Sequence, residues 1–66
     1  MFIRIENNLI NINEIRNAYI YNFGGGEGTV HIIFKNDSKP VVFSTRTLAE
    51  CETILDILTE ACLKKN

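Results

Sequence analysis

The sequence predicts an α+β domain: an antiparallel β-meander of four or five strands with one C-terminal amphipathic helix packed across one sheet face. Three observations lead there. Short runs rich in branched and aromatic residues alternate with turn residues as far as Ser44. A single sustained helical period of apolar residues fills the end of the chain, over 48–65. The connections between the runs are too short for crossovers, so neighbouring strands pair antiparallel.

Taken in order, Phe2–Ile5 forms a first strand. Glu6-Asn7-Asn8 is turn chemistry, because Asn tolerates left-handed backbone and bonds its own main chain. Residues 9–12 make the hairpin partner, and 13–17 a helical turn with Asn13 as its cap. Residues 18–23 are the next strand, broken by Gly24-Gly25-Gly26-Glu27-Gly28, which reads as a mobile hairpin loop. Residues 29–35 alternate most clearly, with Val30, Ile32 and Phe34 on one face. After a turn over 36–40, residues 41–44 form the last strand, and Pro40 suits its start or a sheet edge. Thr47 and Glu50 then have capping-box spacing, each able to satisfy a free backbone amide at the helix start. On that helix Leu48, Cys51, Ile54, Leu55, Leu58, Ala61 and Cys62 share one broad face, with Ile57 on its flank.

The 66 residues make a single domain, 1–66. A chain this short buries only about 60% of the surface it exposes when unfolded, so disulfides, a metal or oligomerisation often support it. A disulfide within the chain is ruled out by geometry, since Cys51 and Cys62 on one helix lie about 16 Å apart. A metal site is not expected from one His and no C-x-x-C pair. Nor is a cofactor: the glycine loop leads into a strand, has Thr29 where a phosphate loop needs Lys, and carries Glu27. Oligomerisation is left, with a homodimer favoured.

The net charge of −1 gives no reason to expect a polyanion, although residues 1–47 are slightly basic and 48–66 acidic. Met1-Phe2-Ile3-Arg4 enters a strand without the features of a leader, and no run approaches the ~18 apolar residues of a membrane span. The expectation is a cytoplasmic protein with reduced thiols and no membrane partner. Its Asn and Ile content suggests a bacterial or phage coding sequence. Asn36-Asp37-Ser38 matches a glycosylation acceptor only incidentally.

No catalytic residue is expected. His31 stands mid-strand opposite Val30 and Ile32, with no nucleophile or orienting acid tied to it by spacing. The binding candidates are Tyr19, Tyr21 and Phe23, which share a strand face, with His31 and Ile33 on a face of the next strand. One helix covers one sheet face, so a second apolar face needs another cover. Self-association through these residues makes the chain a non-enzymatic protein-interaction domain. Two alternatives stay open: a different protein partner, and single-stranded nucleic acid stacking on the same rings. In the latter, Phe2 and Arg4 extend the platform, and Arg4, Arg16, Lys35 or Arg46 meet phosphates. In strand–helix order and length the chain is similar, by topology, to small dimeric single-stranded-DNA-binding domains of the transcriptional-coactivator and Whirly type, and to a truncated pleckstrin-homology-like sheet. The first of these resemblances implies a curved sheet and a helical dimer contact.

Overall fold

Two antiparallel sheets and one long helix make up the computed structural model, which describes residues 1–36 and 39–64. The α+β architecture predicted from the sequence is the one observed. Strands β1 (Phe2–Ile5) and β2 (Asn8–Asn11) pair as a small hairpin, with Ile3 opposite Ile10. Its tight turn holds Glu6, not an Asn, at a positive φ of 56°. Alternation sends Ile5 and Ile10 inward and leaves Phe2 and Leu9 exposed.

A 3-10 turn, Ile12–Glu14, follows. Its cap is Asn11 rather than Asn13: the Asn11 side chain accepts the Asn13 N–H at 3.2 Å. This turn separates the hairpin from the main sheet, so β2 does not continue into a meander. The main sheet has four strands: β3 (Ile15–Gly24), β4 (Glu27–Phe34), β5 (Val41–Val42) and β6 (Arg46–Thr47). β4 is central, with β3 along one side and the two short strands at different points along the other. The strand expected over 41–44 is therefore shorter, and β6 is an addition.

Two bulges shape the long β3–β4 ladder. Ile15 pairs with Phe34 but Asn17 pairs with Ile33, so Arg16 is the extra residue. That insertion turns Ile15 onto the core side beside Phe34, against its formal alternation with Asn17 and Tyr19. Phe23 is the corresponding extra residue near the other end. The glycine segment is a tight hairpin turn. Gly25 and Gly26 sit at φ +64° and +80°, which L side chains rarely adopt. The Leu48 N–H donates to the Gly26 carbonyl at 2.9 Å, tying this turn to the start of the helix.

Helix α1 (Leu48–Lys64) begins at the predicted capping box. The Glu50 N–H donates to Thr47 Oγ1 at 3.2 Å, and the Thr47 N–H donates to Glu50 Oε1 at 3.3 Å. Cys51, Ile54, Leu58 and Ala61 bury against Val30 and Ile32, with Ile5, Ile10, Ile12 and Phe43 completing the core. Cys51 and Cys62 are both free thiols, the first buried and the second half-buried. Asp37 and Ser38 of the turn and motif over 36–40, and Lys65 of the predicted helix, lie outside the described residues. No described helix is long and apolar enough to cross a membrane.

Candidate interaction face

Strand alternation, with β3 and β4 in register, assembles the candidate face. Ala18 opposes Ile32 and Ile20 opposes Val30, and these look toward α1. The intervening pairs, Tyr19 with His31 and Tyr21 with Thr29, therefore look the other way. The Tyr19 and His31 rings stack with centroids 5.0 Å apart and planes 9° from parallel. Tyr21 lies 6.2 Å diagonally from His31 and 5.1 Å from Phe23 at a tilt of 58°. Such cross-strand and diagonal ring contacts are stabilising on a pleated surface. The result is a ladder of four rings, in which Tyr19, Tyr21 and Phe23 remain 39%, 54% and 56% exposed.

A shallow hollow of about 300 Å³ opens beside this ladder, lined by Tyr21, Phe23, Thr29, His31 and Val42. Two of these residues were not anticipated. Val42 arrives because β5 pairs with β4 opposite His31. Thr29 stands two residues before His31 on the same strand face, a spacing that could have revealed it. Its hydroxyl shares a hydrogen bond of 2.9 Å with His31 Nε2. No carboxylate bonds this Thr–His pair among the described residues. Ile33 pairs with Asn17 further along the ladder and does not line the hollow.

Phe2 and Arg4 do not extend the platform, because β1 belongs to the separate hairpin. None of the cations named for phosphate contact lines the hollow beside the rings either. Arg4 Nε donates to the Glu6 carbonyl at 2.9 Å. Arg16 lies in a bulge beside the C-terminal half of α1. Arg46 is committed elsewhere: its guanidinium forms a two-pronged ion pair with Glu6, donates to Ser44, and lies 5.6 Å from the Phe43 ring centroid. That hydrogen-bonded guanidinium holds the Glu6 carboxyl below its ordinary range, and Glu6 in turn raises Arg46. Among the described residues no cluster of three or more His, Cys, Asp or Glu could hold a metal ion.

No family model matches the chain, and neither a curated protein nor a solved structure is significantly similar to it.

Proposed function

We propose that this chain is a small non-enzymatic interaction domain of bacterial or phage type that self-associates in the cytoplasm through its aromatic strand. The observation that carries the reading is the exposed ladder of Tyr19, Tyr21, Phe23 and His31 on the side of the sheet away from α1. Exposed contiguous apolar surface marks an interaction site more often than isolated apolar residues do. Aromatic residues are enriched at such surfaces for their large, rigid contact area. Among the described residues no Lys or Arg lines the hollow, which supports a protein partner over a nucleic acid.

Tyr21→Glu tests this. Tyr21 is more than half exposed, so the variant should fold. A carboxylate placed in the contact should weaken association about 100-fold or more, as for loss of an interface hot spot. Light scattering after size exclusion, across a dilution series, reads the change. Wild-type protein that is monomeric throughout, or a variant that associates unchanged, overturns the proposal.

A further inference from the structure

The backbone of β3 carries a second feature, independent of its rings. The Phe43 N–H donates to the Val30 carbonyl at 3.0 Å, so the main-chain groups of Val30 point away from β3. In an antiparallel ladder both groups of a residue point the same way, and the direction alternates along the strand. Val30 opposes Ile20, so the N–H and C=O of Ile20 point outward, as do those of Ala18 and Asn22. Among the described residues, no other element bonds them, and β3 is the edge of the main sheet.

Edge strands are usually blunted by shortness, charge or proline. The opposite edge follows this rule, for β5 and β6 have two residues each and Pro40 stands directly before β5. β3 has ten residues, and no charge or proline lies between Asn17 and Gly26. Its centre, Tyr19-Ile20-Tyr21, reads the same in both directions. A groove of about 370 Å³ between this strand and α1, lined by Ala18, Leu55, Cys62 and Leu63 among others, runs along the same margin.

Building on the self-association proposed above, we infer that two copies join through the β3 edges, antiparallel about a two-fold axis at Ile20. Ile20 then faces the partner's Ile20, Ala18 the partner's Asn22, and Tyr19 the partner's Tyr21. The outward groups of Ala18, Ile20 and Asn22 find backbone partners. The close, non-hydrogen-bonded positions bring the tyrosines of both copies together on one face. An isologous contact of this kind closes at the dimer and leaves no open β3 edge.

Amide hydrogen exchange on the intact chain, read by NMR at low and high concentration beside light scattering, tests the geometry. The Ala18, Ile20 and Asn22 amides should slow about tenfold or more as dimer forms, the order of one hydrogen bond's net contribution. Tyr19 and Tyr21, already bonded to β4, set the internal reference. A dimer in which those three amides stay fast overturns edge pairing while self-association stands. A monomer at every concentration overturns both. Ala18→Pro is the second arm: its N–H points outward, so proline deletes an intermolecular donor without touching the β3–β4 ladder. A folded Ala18→Pro monomer supports the pairing, and an Ala18→Pro dimer as tight as wild type overturns it.

Discussion

Gly28 carries a steric constraint that its flexible neighbours in the hairpin turn do not. A Cβ at this position would stand 2.5 Å from the Tyr21 carbonyl oxygen and 3.1 Å from Leu48 Cδ2, whereas nothing lies within 4 Å of one at Gly25. The clash with main chain cannot be relieved by a rotamer change, so β3, β4 and the first turn of α1 must shift together. Gly28→Ala should therefore cost about 1–3 kcal/mol, the usual cost of overpacking. Urea unfolding checks this, and a midpoint equal to wild type would show that the strands yield. The glycine run was legible in the sequence as a turn, because its residues lack a Cβ. The distinct burden on Gly28 was not, because it arises from the Tyr21 carbonyl across the ladder and from Leu48, twenty positions away. The facing of Tyr19 and His31 was likewise open until the pairing register was known, since each side chain's face is local but its neighbour is not.

Among the elements, α1 was the most legible, since period, cap and dipole complement all lie within the helix itself. Thr47→Ala removes both the acceptor of the Glu50 N–H and the hydroxyl bonded to Glu50 Oε1. It should cost about 1 kcal/mol, or a fall in Tm of about 4–8 °C for a domain of this size. An unchanged Tm would mean that packing alone fixes the helix start. The strands were legible as runs but not as partners. Nothing in 9–12 says that this run stops pairing at Asn11, and nothing in residues 13–17 announces the Arg16 bulge. Both come from tertiary demands: Ile12 is fully buried beneath the 3-10 turn, and Ile15 must reach the core with Phe34. The two-residue strands β5 and β6 exist only because β4 offers them free backbone groups.

For the whole molecule, the Glu6–Arg46 pair adds an ionic tie between the hairpin and the main sheet to the core they share. The hydrogen bond from Arg46 lowers the folded-state pKa of Glu6 below its ordinary value of 4.5. A depressed carboxyl stabilises the fold above its unfolded pKa and loses that contribution as pH falls through the folded one. Glu6→Gln should thus be less stable than wild type at neutral pH, and the gap should close in acid below the ordinary carboxylate range. Paired urea titrations at neutral and acidic pH measure the difference, and a gap constant with pH would mean that the charge contributes nothing. The position of β4 has a broader consequence. It is the one strand that β3, β5, β6 and α1 all rest upon. If β4 leaves, each of the others loses its hydrogen-bonding partner or its packing surface at once. The main sheet and helix should therefore come apart as one cooperative unit, with coincident transitions by fluorescence and circular dichroism.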